Sequence, residues 1–258
     1  MIFFHPLALL GYSSKDPAMF LRPMWGETHK DSTRLPLCMQ KVAILGGTFD
    51  PVHHGHLSIA KMAVCQFALD RVVWAVDHTP PHKSHSVLAS FEQRREMVAL
   101  ATAGRPDFEL LPLDTNGFAT GAIDSLLYLQ NLYPEAQLYW IIGIDAFQTL
   151  AKWPRCTEIG GLCEWLVARR ETAGVEVGLV ERSIDSAEED MLVRTNHVCS
   201  VVATQMAVRG VQISWQVLTM PTIEVSSSLI RCYYSEGRAI GHLVPEAIET
   251  YMMTHQLY

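Results

Sequence analysis

Short apolar runs alternate along this chain with segments of helical period, and that alternation restricts the fold more than any other feature. KVAIL, Lys41 to Leu45, is a strand-like run that stops at Gly46-Gly47. Leu57, Ala60, Val64 and Phe67 then recur at helical spacing, and RVVWAV, Arg71 to Val76, returns as a second run rich in β-branched residues. This strand, helix, strand order defines a βαβ unit. Ser90 followed by Gln93 has capping-box form and opens a helix running through Met97 and Ala101 towards Gly104. Further strands are predicted over Phe108–Leu113, Leu138–Ile142, Glu164–Arg169 and Val211–Leu218. Helices are predicted over Ile123–Tyr133, Ala146–Lys152, Ser226–Glu236 and Pro245–His255. Continuously apolar strands separated by helices predict an α/β fold, a Rossmann-like parallel sheet with helices on both faces and helices at the C-terminal end. Thr195 to Gly210 carries no assignable period.

Residues 1–40 do not share this pattern. Pro6, Pro17, Pro23 and Pro36 interrupt any helix or strand there, which predicts a loose N-terminal extension before a domain spanning 41–258; Met39, just ahead of the first strand, is an alternative start. Between Glu171 and Asp190 the chain is acidic and aperiodic, as expected of an insertion or long surface loop.

Composition excludes several classes. With 49% hydrophobic and 18% charged residues in 258, the chain has material for a sizeable core, and a net charge of −7 argues against a broad nucleic-acid surface. The six cysteines, Cys38, Cys65, Cys156, Cys163, Cys199 and Cys232, form no C-x-x-C pair, so no zinc site or disulfide framework is predicted. No apolar run approaches the roughly 20 residues of a membrane span, and Met1–Tyr12 has no basic residue before its apolar stretch, which together predict a cytoplasmic location without membrane partners. Oligomeric state is not legible.

The chemistry concentrates in GGTFDPVHHGH, Gly46 to His56, between the first strand and first helix, where open α/β sheets bind ligands. Gly46, Gly47 and Gly55 permit close backbone approach. A helix starting near Gly55 directs N–H groups and a positive dipole end at an anion. His53 and His56, three apart, can present imidazole N–H donors to one phosphate, although histidines at such a place also cap helices. Lys83, in PPHK (Pro80–Lys83), offers a positive charge after the second strand. IIGID, Ile141 to Asp145, ends a strand at Gly143 and Asp145, a carboxylate suited either to ribose hydroxyls or to a helix N-cap. VSSSLIR, Val225 to Arg231, sets Ser226, Ser227 and Ser228 at a helix start with Arg231 one turn later, again a phosphate arrangement or merely a capped helix.

These strings carry a resemblance. The H-x-G-H element resembles that of the nucleotidyltransferase superfamily, and GGTFDPVHHGH, PPHK and VSSSLIR in order are similar to the bacterial nicotinate-nucleotide adenylyltransferases over Lys41 to Tyr258, apart from the acidic stretch. The resemblance implies adenylyl transfer from ATP to nicotinate mononucleotide. It casts His53, His56, Lys83 and Arg231 as catalytic, and Gly46, Gly47, Thr48, Phe49, Gly55, Gly143, Asp145, Ser226, Ser227 and Ser228 as the ATP site. Ala122, Trp153 and Arg94 would serve the acceptor, and Mg²⁺ would arrive with ATP rather than on protein ligands. Arg94 also suits a surface ion pair. TGAI, Thr120 to Ile123, departs from the family's S-Y-T segment, and Asp77-His78 stand where small or amide residues are more usual, so nicotinamide mononucleotide remains an alternative acceptor. A cytidylyltransferase and a non-catalytic nucleotide-binding domain are rivals; a dinucleotide dehydrogenase is disfavoured because no G-x-G-x-x-G follows the first strand.

Overall fold

The computed structural model describes residues 39–78, 88–112, 121–169, 184–220 and 225–258, all within the unit Cys38–Tyr258. The predicted N-terminal extension lies outside them except for Met39 and Gln40, as do Lys83 with its PPHK string, Leu113, Thr120, and 171–183 of the acidic stretch. Six strands form one sheet: β1 (Lys41–Gly47), β2 (Arg71–Val76), β3 (Phe108–Leu110), β4 (Gln137–Gly143), β5 (Glu164–Ala168) and β6 (Ser214–Leu218), in the order β3-β2-β1-β4-β5-β6. Every pairing is parallel, with Ile44 opposite Val73 on one side and Trp140 on the other.

Parallel neighbours need crossovers, and helices supply them. Between β1 and β2 runs α1 (His54–Phe67), and α2 (Phe91–Thr102) and α3 (Ala122–Leu132) follow β2 and β3. The short α4 (Ile144–Phe147), a 3₁₀ turn at Leu150–Lys152 and α5 (Cys156–Ile159) link β4 to β5; α6 (Ile184–Val208) leads to β6, and α7 (Ser227–Ser235) and α8 (Glu246–Thr254) close the chain. Alternate strand residues face opposite ways. Ala43, Leu45, Val72, Trp74 and Ile141 pack beneath α1, α2, α7 and α8, whereas Val42, Ile44, Val73, Trp140 and Trp165 pack beneath α3 to α6. Trp74 and Trp165 are fully buried, and cutting either to alanine removes about 3–5 kcal/mol of packing.

Four local readings are corrected. The acidic stretch does not stay irregular to Asp190, because α6 begins at Ile184 and continues through the unassigned Thr195–Val208. Ala146–Lys152 is not a single helix, since α4 ends at Phe147 and the chain tightens into the 3₁₀ turn. β3 stops at Leu110 and β6 begins only at Ser214. Among the described residues no helix is long and apolar enough to cross a membrane.

Candidate active site

Connections from β1 and β4 leave the sheet in opposite directions along the strand order, so a crevice opens beyond their adjacent C-terminal ends. β1 delivers Gly46 and Gly47 there, and the turn after it carries Phe49 at a left-handed φ of 51°, with the ring buried. Packing already demands the glycines. A Cβ on Gly46 would stand 3.0 Å from the Trp140 ring, and one on Gly47 2.9 Å from the Phe49 ring. At Gly55 it would meet Val225 Cγ1 at 2.7 Å, so this glycine lets the start of α1 approach the segment that leads into α7.

His53 caps α1 and is 6% exposed; its ring stacks on His56 with centroids 3.7 Å apart. The backbone N–H of His53 donates to His56 Nδ1 at 3.3 Å. A nitrogen that accepts cannot carry the proton, so the neutral His56 ring holds it on Nε2, which is then a donor. The edge of Phe49 meets this ring at 4.9 Å. His54 is exposed, and its backbone N–H donates to the Leu243 carbonyl at 3.0 Å, tying α1 to the segment before α8.

At the start of α7 the three serines divide their work. Ser226 caps the helix by accepting from Leu229 N–H at 3.1 Å, Ser227 donates to the Pro51 carbonyl at 2.9 Å, and Ser228 accepts from Arg231 at 3.4 Å. Arg231 donates through Nη1 to the Asp50 carbonyl at 2.7 Å and lies 3.5 Å from the Asp50 carboxylate. Two helix N-termini, each with its positive dipole end, are thereby drawn to one turn. Imidazole N–H, guanidinium and backbone amides are donors that suit phosphate oxygens.

Two residues emerge with roles the sequence did not disclose. Asp50 is 2% exposed, and its carboxylate accepts from Leu88 N–H at 3.0 Å, Ala89 N–H at 3.1 Å and the Tyr258 hydroxyl at 2.7 Å. Burial, reinforced by the Asp50 charge, pushes the Tyr258 phenol well above its ordinary range. Arg94 is also 2% exposed, so the surface ion pair is not formed. Its guanidinium donates to the carbonyls of Thr48 at 2.8 Å, Asp77 at 2.8 Å, His78 at 3.2 Å and Ala89 at 3.3 Å, bracing the ends of β1 and β2. Burial lowers its pKa, opposed by the charges of Asp50 and Asp77. Asp50 stood inside the string that drew attention to its histidines. Only its burial identifies it.

At the other lip, Gly143 is exposed and is itself the N-cap of α4, so Asp145 sits exposed within the first helical turn rather than capping it. Trp153 is half-buried, with Nε1 donating to Thr149 Oγ1 at 2.9 Å and its ring against Trp140 and Trp165, both at 6.3 Å. Ala122 opens α3 behind Gly121, which offers no side-chain cap. Exposed Asp77 is held at the strand ends by its N–H bond to the Gly47 carbonyl at 2.9 Å. Among the described residues no group of three or more His, Cys, Asp or Glu is arranged to hold a metal ion.

A doubly wound sheet with paired histidines and two helix N-termini at its switch point defines a nucleotide-binding α/β protein. The cytidylyltransferase-like family model matches residues 44–233. A Trichormus variabilis protein named "Probable nicotinate-nucleotide adenylyltransferase" is 38% identical over 221 residues, covering 85% of this chain and 98% of that protein. One of the same name from Dehalococcoides mccartyi is 31% identical over 220 residues, covering 84% and 97%. The chain belongs to the cytidylyltransferase-like family and, within it, to the nicotinate-nucleotide adenylyltransferases. Its fold also matches that of Plasmodium falciparum nicotinic acid mononucleotide adenylyltransferase complexed with NaAD, at a TM-score of 0.59 and 15% identity, over 84% of this chain and 96% of that one.

Proposed function

We propose that the chain transfers the adenylyl group of ATP to nicotinate mononucleotide, giving deamido-NAD and pyrophosphate, within the cytoplasm. The observation that carries this reading is the convergence of His53, His56 and Arg231 on the single turn after β1, at the C-terminal ends of β1 and β4. The relatives' names supply the acceptor. An oxygen of the acceptor phosphate attacks the α-phosphorus of ATP, the bond to the bridging α–β oxygen breaks, and the electron pair leaves on pyrophosphate. No protein nucleophile is needed, so the chain's task is to hold two anions in line and to meet the charge that develops. His56 Nε2–H and His53 would serve the reacting phosphate, and Arg231, Lys83 and the α7 amides with Ser226, Ser227 and Ser228 the outer phosphates. Gly46, Gly47, Thr48, Phe49 and Gly55 would shape the ATP bed, with Gly143 and Asp145 towards the ribose.

Mg²⁺ carried by ATP would neutralise triphosphate charge. The donors converging here suit phosphate oxygens rather than a hard cation, and the Asp50 carboxylate is occupied by its own partners. Ala122, through its backbone N–H, and Trp153 would contact the acceptor ring, whereas Arg94 would serve the acceptor indirectly by fixing the strand ends. One observation favours the amide acceptor instead: Asp77 is exposed just after β2, its backbone N–H bonded to the Gly47 carbonyl, and a negative charge on this side would disfavour a nicotinate carboxylate. Pyrophosphate release from ATP with nicotinate mononucleotide and nicotinamide mononucleotide, measured side by side, tests both. A higher kcat/KM for nicotinate is expected. Equal or better use of the amide would overturn the acceptor assignment, and no release with either would overturn adenylyl transfer.

A further inference from the structure

Asp50 and Tyr258 stand 208 positions apart in the sequence and 2.7 Å apart in space. We propose that Tyr258 is a positioning residue for the reaction, its hydroxyl holding the Asp50 carboxylate in the orientation that presets Arg231 for the triphosphate. The inference rests on the adenylyl-transfer reading above.

The two carboxylate oxygens are engaged on different sides. Oδ1 accepts from Ala89 N–H at 3.1 Å and from the Tyr258 hydroxyl, while Oδ2 accepts from Leu88 N–H at 3.0 Å and faces Arg231 Nη1 at 3.5 Å. A carboxylate held this way cannot turn about its Cβ–Cγ bond without disturbing donors on both oxygens. Its charge therefore stays directed at Arg231. That side chain is itself 16% exposed, anchored by Nη1 on the Asp50 carbonyl and by Nη2 on Ser228. The Tyr258 ring lies 6.0 Å from the guanidinium and limits its movement on that side. A phenol is protonated at neutral pH in any case, and burial only widens that margin, so the hydroxyl remains a donor.

Packing alone needs the Tyr258 ring against the core but not its oxygen. Tyr258→Phe separates the two roles. If the hydroxyl acts through Arg231, the variant raises KM for ATP by about tenfold, in keeping with the loss of a bond to a charged group, and leaves KM for the acceptor within about twofold. In an Arg231→Lys background the same change then adds less than about twofold, because contacts within one network do not act independently. A KM for ATP within about twofold of the parent, equal losses for both substrates, or losses that multiply in the double variant would overturn the proposal. Should Tyr258→Phe fail to fold, Tyr258→His, which keeps a ring and a donor but moves the donor away from Asp50, carries the same comparison, and a KM for ATP within about twofold of the parent would again overturn the proposal. If the parent releases no pyrophosphate, the transfer reading fails, and ATP dissociation constants measured by calorimetry for the same variants decide the positioning role separately.

Discussion

His56 has two nitrogens with two tasks, and isosteric substitutions can remove one task at a time. Nδ1 accepts from the His53 N–H at 3.3 Å, a local cap on α1; Nε2 carries the proton and is the donor proposed for the reacting phosphate. Losing a cap costs about 1 kcal/mol, and losing the ring contacts with His53 and Phe49 adds about 0.5–1.5 kcal/mol. At about 2–4 °C per kcal/mol, His56→Ala should lower the thermal midpoint by roughly 5 °C. Removing a donor aimed at developing charge costs about 10²–10³ in kcat, or ~2.7–4 kcal/mol, with little change in KM for ATP. Asparagine places an oxygen where Nδ1 stands and nothing at the ε position, whereas glutamine places an amide nitrogen near Nε2. His56→Asn should therefore keep the cap but lose as much kcat as His56→Ala; His56→Gln should stay within about tenfold of the parent. His53→Ala should be milder in turnover. The assays are pyrophosphate release under saturating ATP and thermal melts of each variant. His56→Asn retaining kcat within about threefold, less than one kcal/mol, would refute the donor role of Nε2.

Replacing Arg94 by methionine fills the space of its stem but leaves four carbonyls without their guanidinium, and denaturant unfolding should show a loss of about 3–5 kcal/mol. A loss below about 1 kcal/mol would show that the brace is dispensable. The Tyr251 phenol is pushed from 10.0 to about 12 by burial and by its bond to Glu96, so the folded state favours the neutral form. That contribution is complete below about pH 10 and is lost as the pH rises towards about 12; melts across this window should fall more steeply for the parent than for Tyr251→Phe. Deleting residues 1–38, the proline-broken stretch, should leave the thermal midpoint and turnover nearly unchanged, and a drop beyond about 5 °C would show that it joins the core.

Elements whose pattern is local were legible from residue types. β2 spans the predicted Arg71–Val76, and the Ser90–Gln93 capping box forms with bonds of 3.2 and 2.8 Å. α6 was not legible at all: Ile184–Asp190 read as part of an acidic loop, and Thr195–Val208 showed no period. Val201 and Val208 are 44% and 85% exposed there, and apolar residues on the outer side erase the contrast between faces on which period reading depends. The site was half legible for a similar reason. Histidines, serines and glycines stood in compact strings, whereas the Asp50–Tyr258 bond joins positions with no local relation, and Arg94, placed at the acceptor by resemblance, suited a surface ion pair equally because arginine is rarely buried. The glycines were recognised for close approach to a ligand, but the rings of Trp140 and Phe49 and the methyl of Val225 require them first.

The turn after β1 draws partners from the whole length of the domain: Leu88 and Ala89 early, Ser227 and Arg231 late, and Tyr258 later still. A growing polypeptide that has emerged only as far as β6 has its sheet strands yet lacks the guanidinium, the α7 amides and the phenol. On the proposed site, full-strength capture of ATP would wait until α7 and Tyr258 have been made. If the nucleotide binds only where these parts have come together, an ATP concentration 100-fold above Kd would add about 2.7 kcal/mol to the folded domain and nothing to a shorter precursor. A cell rich in ATP would selectively protect finished molecules from proteolysis, with the substrate acting as the last stabilising component of its own catalyst.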